Sequence, residues 1–139
     1  MTVLMDTGLA KKAKINILPP VDTGEKLLFR VYDNAAPIGY ARLKKVISRV
    51  KRPENITDMF DPDAYSAYEL KMIEISQNYR HRGLGTSLLQ EVIQYCRNSN
   101  IIRLTGEIKG DSRTLRNWYS KNGFQVSSDN IIEILPLAS

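Results

Sequence analysis

The feature that most constrains this chain lies at residues 76–89, Ser-Gln-Asn-Tyr-Arg-His-Arg-Gly-Leu-Gly-Thr-Ser-Leu-Leu, where an apolar strand-like run turns sharply into a helix. Gly83 and Gly85 sit at the corner, with Arg80 and Arg82 just before them. Glycine has no Cβ, so a strand-Gly-x-Gly-helix junction lets a ligand approach the backbone and leaves the first helical N–H groups without partners. Those amides stand at the positive end of the helix dipole and make an anion site. Arg80 and Arg82 add fixed charge, and a guanidinium grips a phosphate through two parallel hydrogen bonds. The pattern is not a dinucleotide fingerprint, which needs a third glycine, nor a P-loop, which needs Gly-Lys-Ser/Thr.

The run Arg80-x-x-Gly83-x-Gly85, preceded by Ile75-Ser-Gln-Asn-Tyr79, resembles the acyl-CoA pyrophosphate loop of the GNAT superfamily of N-acyltransferases. Downstream, Leu115-Arg-Asn-Trp118-Tyr119-Ser-Lys-Asn-Gly123-Phe124 is similar to that family's helix ending in an aromatic-Tyr pair and a Gly-Phe turn. Two motifs in the right order carry the resemblance across residues 65–134. It implies an α/β (α+β) fold: a mixed, mostly antiparallel sheet of about six or seven strands flanked by helices. The family's usual helices between strands 1 and 2 would be shortened or absent, since residues 19–25 are too few to hold them.

The 139 residues fit a single domain, 1–139, with residues 1–12 read as a loose tail. The one cysteine, Cys96, excludes an internal disulfide and suits a reducing cytoplasm, the expected location. It falls on the apolar helical stripe Leu84, Leu88, Val92, Cys96, so a buried structural thiol is expected. With one His and one Cys there are too few ligands for a protein zinc site, and no metal is expected. No apolar run is long enough to span a bilayer, and residues 1–10 lack a signal pattern, so no membrane insertion is expected.

A net charge of +5 brings polyanions into consideration. Residues 42–52 hold Arg42, Lys44, Lys45, Arg49, Lys51 and Arg52 with no acid, whereas residues 53–70 hold Glu54, Asp58, Asp61, Asp63 and Glu69 with no Lys or Arg. The basic run is read as a solvated strand edge and loop, with a polyanion-contacting or CoA-phosphate-contacting patch as the alternative.

In chain order, residues 14–18 form a first strand ending at Pro19-Pro20, and 26–32 and 38–47 form two strands joined by a hairpin at 33–37. Residues 49–65, with a short helix near 56–60, are read as a replacement wall for the acceptor pocket. Residues 67–76 make the central strand, where apolar alternation slips at Met72-Ile73. A β-bulge does this, and so does burial on both faces. A helix over 83–98, a strand over 101–108, a helix from about Arg113 and a closing hairpin of 124–126 with 131–135 complete the reading.

The family resemblance implies acetyl transfer from acetyl-CoA, as co-substrate, to a primary amine by direct attack in a ternary complex. The amides of Arg82, Gly83, Leu84, Gly85 and Thr86, with the charges of Arg80 and Arg82, would anchor the pyrophosphate, and His81 would lie beside it. A bulge would leave an amide near Ile73 or Ile75 free to polarise the thioester carbonyl. Tyr119 would donate a proton to the CoA sulfur. Glu69, fourteen residues before Gly83, and Glu74 compete as base, with ordered water as the alternative. Ser112 stands where the family commonly has an Asn that contacts the pantetheine, and Leu115 where it has a small Ala.

The acid-rich run at 53–70 points to a cationic acceptor, an amine-bearing small molecule, a peptide N-terminus or a lysine. Two other classes stay open: a non-catalytic acyl-CoA-binding regulatory module, and a small basic nucleic-acid-binding domain. The last ranks lowest, because it leaves the two glycines and the Trp-Tyr helix without a purpose. A homodimer is left open.

Overall fold

The structure, a computed structural model, describes residues 14–47, 66–99, 101–110 and 112–134. Its strands are β1 (Ile15–Asp22), β2 (Lys26–Asp33), β3 (Ala36–Ile47), β4 (Ser66–Ile75), β5 (Arg103–Glu107), β6 (Gln125–Val126) and β7 (Ile131–Ile134). Its helices are α1 (Leu84–Asn98) and α2 (Ser112–Lys121), and a 3-10 turn covers Gln77–Tyr79. The seven strands form one sheet in the order β1-β2-β3-β4-β5-β7-β6. Every neighbouring pair is antiparallel except β4 and β5, which run parallel.

Alternation decides which face is buried. On β2, Leu27, Phe29 and Val31 are buried, and Ala41 and Leu43 of β3, Leu104 of β5 and Ile132 and Ile134 of β7 share their side of the sheet. That side meets the apolar stripe of α1, where Leu88, Leu89, Val92, Ile93 and Cys96 are all buried. Each fully buried aliphatic chain of this kind stabilises the fold by about 1.5–3 kcal/mol. Cys96 is 0% exposed, and burial pushes its thiol up to about 12, so it stays protonated as a packing residue.

The first hairpins are tighter than the sequence suggests. β1 does not stop at Pro19; it continues to Asp22 as an edge strand paired only with β2. Its register shifts between Leu18 and Val21, so the two prolines, which have no N–H to give a ladder, fall in the irregularity. Asn34, in the left-handed region at φ 55, closes the β2–β3 turn within two residues rather than five. No helix separates β1 from β2, which are joined by residues 23–25. The acceptor-wall reading of 49–65 and the short helix at 56–60 lie outside the described residues.

The bulge on β4 is present and falls one residue earlier than the alternation implies. Arg42 faces Met72 while Leu43 faces Leu70, so Lys71 is the added residue. Tyr68 and Leu70 are buried before it, and Ile75 is buried after it. Met72 misleads the eye because it is apolar yet 40% exposed. β5 pairs with β4 only over Ala67–Leu70, and from Lys71 onward β4 has no neighbouring strand on that side among the described residues. A slot opens there.

Gly39 lets β3 close on β4 at the end of this slot. A Cβ at that position would stand 2.6 Å from Ile75 Cδ1 and 2.8 Å from the Glu74 carbonyl oxygen, and the second contact is rigid backbone. Gly39→Val is expected to destabilise the protein by about 1–3 kcal/mol, as overpacking does, in urea unfolding. A midpoint equal to wild type would show that β3 and β4 do not pack this closely.

Candidate active site

The corner after β4 is built from short backbone bonds and two left-handed residues. The Tyr79 and Arg80 amides donate to the carbonyls of Ser76 and Gln77 at 2.8 and 3.2 Å, closing the 3-10 turn. Arg80 Nε then donates back to the Ile75 carbonyl at 2.8 Å. His81 (φ 64) and Gly83 (φ 80) follow in the left-handed region. Such alternation turns successive N–H groups into one concavity, an anion nest, at the N-terminus of α1. Gly83 is the cap of α1, and a side chain there would cost about 1–2 kcal/mol in backbone strain. Gly85 is different: a Cβ would make only ordinary contacts, 3.6 Å to Trp118 Cζ2 and 3.9 Å to Ile75 Cγ1. Its missing side chain leaves room in the slot.

Two contacts hold this corner from outside. Tyr79 Oη donates to Asp33 Oδ2 at 2.6 Å, tying the turn to the β2–β3 hairpin, and that bond to a carboxylate raises the Tyr79 pKa. The Arg82 guanidinium lies 5.2 Å from the centre of the Tyr79 ring. Trp118 Nε1 donates to Thr86 Oγ1 at 2.9 Å, tying α2 to the first turn of α1.

The slot itself is a cavity of about 680 Å³, within the range of small-molecule sites. Ile73, Glu74 and Ile75 form one wall. Ile108, Leu115, Trp118 and Tyr119 form the other, and Arg80, His81 and Gly85 close the helix end. The β3–β4 ladder fixes what the first wall offers. Ser76 N, just past β4, donates to the Ile38 carbonyl at 2.7 Å, so the N–H groups of Ser76 and Glu74 face β3 and those of Ile73 and Ile75 point to the other side. Among the described residues no strand meets them there, because β5 has already diverged.

Tyr119 is 7% exposed, packed against Trp118 at 4.8 Å and edge-on to Phe124 at 5.3 Å between ring centres. Burial pushes its hydroxyl up to about 12, so it keeps its proton well into the alkaline range and gives it up only to a strong base such as a departing thiolate. Glu74 is half exposed; Tyr40 Oη donates to its Oε1 at 3.4 Å, and Arg80 stands 3.9 Å from its Oε2. Glu69 does not line the slot, and its carboxylate meets Lys71 at 3.5 Å. Ser112 opens α2, half-buried, and does not line the slot either. Arg82, Gly83, Leu84 and Thr86 lie beside the slot, in the corner and first turn of α1. Among the described residues no three metal-ligating side chains come together.

Asp33 and Tyr40 are not legible as site residues from local sequence, and Tyr79 and Arg42 are visible there only as parts of the pre-glycine stretch and of the basic run. Tyr40 meets Glu74 only through the β3–β4 register, and Asp33 reaches Tyr79 only through the turn of the hairpin.

The acetyltransferase (GNAT) family model matches residues 11–124, and the chain belongs to that family. A GNAT family acetyltransferase from Elizabethkingia anophelis with acetyl-CoA bound superposes with a TM-score of 0.61 at 18% identity, over 89% of this chain and 99% of that one. NAA60 of Arabidopsis thaliana in complex with acetyl-CoA gives 0.67 at 12% identity, over 83% and 79%. The PaiA N-acetyltransferase of Thermoplasma acidophilum in complex with coenzyme A gives 0.58 at 22% identity, over 80% and 61%. These likenesses show the fold. No curated protein matches the sequence.

The raised Tyr119 ionisation has a signed consequence for stability. Its folded value of about 12 lies above the ordinary 10.0, so the contribution is whole below pH 10 and is lost as pH rises towards 12. Urea midpoints of the wild type should fall more steeply across that window than those of Tyr119→Phe. Parallel pH curves for the two proteins would contradict the buried position of the hydroxyl.

Proposed function

We propose that the protein transfers an acetyl group from acetyl-CoA to a primary amine, by direct attack in a ternary complex without a covalent enzyme intermediate. The observation that carries this reading is the slot: an unpaired strand edge at Ile73 and Ile75 that runs straight into the anion nest at His81 and Gly83. The edge offers hydrogen bonds to an extended amide-bearing chain, and the nest, with Arg80, offers them to a pyrophosphate. Solved relatives holding acetyl-CoA or coenzyme A support the same occupant.

Acetyl-CoA supplies an activated thioester carbonyl. The Ile73 or Ile75 N–H donates to the carbonyl oxygen as negative charge develops on it. Glu74, directly or through water, takes a proton from the incoming ammonium; its place in the slot favours it over Glu69. The amine nitrogen forms the new C–N bond as the C–S bond breaks, and Tyr119 gives its proton to the departing thiolate. The nitrogen loses its second proton as the amide forms, and that proton, carried by water, restores Tyr119; the products are an amide, the free CoA thiol and the proton on Glu74, which passes to solvent. The single buried cysteine supports a cytoplasmic setting.

Tyr119→Phe keeps the ring stack and removes the proton. CoA thiol release in the presence of an amine acceptor should fall by more than tenfold, with little change in the KM for acetyl-CoA. Undiminished turnover would take Tyr119 out of the reaction.

A further inference from the structure

The outward face of the sheet carries charge next to the slot that acyl-donor binding leaves unused. Tyr40, Arg42 and Lys44 of β3 stand on this face, in register with Glu74, Met72 and Glu69 of β4. Arg42 and Lys71 both line the slot, and both are exposed. Arg42 makes no ion pair or hydrogen bond through its guanidinium among the described residues. Among the described residues Lys71, the residue added by the bulge, meets only Glu69, at 3.5 Å with 42% and 35% of the side chains exposed, a contact that solvent screens.

These two cations are badly placed for CoA phosphates. The anion nest follows Ile75, whereas Met72, the partner of Arg42, lies three residues back along β4, roughly 10 Å at strand spacing. They flank instead the bulge where β4 leaves β5, on the side from which an acceptor would reach the thioester. Among the described residues the charges lining the slot are Arg42, Lys71, Arg80 and Lys109 against Glu74 and Glu107; with Arg80 given to the pyrophosphate, three cationic groups stand against two carboxylates. Such a surplus repels a bare cation and attracts a molecule that brings its own anion. The acid-rich run that suggested a purely cationic acceptor contributes only Glu69 to the described residues, and Glu69 is turned to Lys71.

Taking the acyl transfer above as given, we infer that the acceptor is an amine that also bears an anionic group, a carboxylate or a phosphate. Its amine lies at Glu74 beside Tyr40, and its anion is held by Arg42 and Lys71. Arg42, with its fork of donors, supplies the geometry, and Lys71 adds a point charge. Glu107 and Glu69 limit how much negative charge the site accepts.

The test measures acetyl-CoA-dependent thiol release by the full chain with matched acceptors: amino acids against their amides, and phosphoethanolamine against ethanolamine. At least one anionic member should exceed its neutral counterpart tenfold or more in kcat/KM, and the two pairs separate carboxylate from phosphate. Arg42→Gln should raise the KM for that acceptor about tenfold and bring the ratio towards one, with the KM for acetyl-CoA unchanged and Arg42→Lys restoring part of the preference. Thiol release without preference between paired acceptors, or a preference that survives Arg42→Gln, overturns the inference and leaves the acyltransferase reading standing. No thiol release with any acceptor overturns both.

Discussion

Everything at the site depends on one interruption of backbone pairing. β4 and β5 run parallel for four residues and then part, at the point where Lys71 is inserted into β4 opposite β3. Continuous pairing would satisfy the N–H groups of Ile73 and Ile75 within the sheet and leave no space between β4 and α2. The bulge instead exposes that edge to a cavity, and the cost is met by the long ladder that β4 keeps with β3, from Ser66 to Ile75. Gly39 is part of the same arrangement, because only a residue without a Cβ lets β3 follow β4 to its end.

The corner that continues β4 carries the second concentration of local strain. His81 occupies a left-handed conformation that costs a residue with a side chain about 1 kcal/mol, and such positions persist only where surrounding contacts fix them. Here those contacts are visible: Arg80 to the Ile75 carbonyl, Tyr79 to Asp33, and Thr86 to Trp118. The hairpin, the sheet end and α2 each hold one side of the nest. The ring contacts of Trp118 and Phe124 similarly fix Tyr119, whose hydroxyl burial pushes up to about 12.

The parts of the fold set by local chemistry were legible in the sequence. The α1 stripe, the glycine corner and the Gly123 stop after α2 follow from spacing and from backbone freedom that only glycine has, and the structure has them within a residue or two. The slip in alternation fits a bulge and burial on both faces equally, and it does not place the bulge, since an exposed methionine reads like a buried one. Pro19-Pro20 reads locally as the end of β1, yet an irregular edge strand tolerates both prolines. That Glu74 meets Tyr40 follows from strand register across 34 residues of separation, information that no local window contains. The same holds for Arg42, which read as part of a solvated basic run and stands at the mouth of the slot.

The central claim is that the slot and its nest bind the acyl donor, and thermal unfolding with acetyl-CoA, set against adenosine 3′,5′-bisphosphate and buffer, tests it most directly. At about 100 times its dissociation constant acetyl-CoA should add roughly 2.7 kcal/mol of stability, a clear rise in Tm. The rise should exceed that from the bisphosphate, which lacks the pantetheine arm that the Ile73–Ile75 edge would hold, and it should vanish in a folded Gly83→Val variant. No shift at millimolar acetyl-CoA would contradict the account, and would reduce the glycine corner to a tight turn between a strand and a helix.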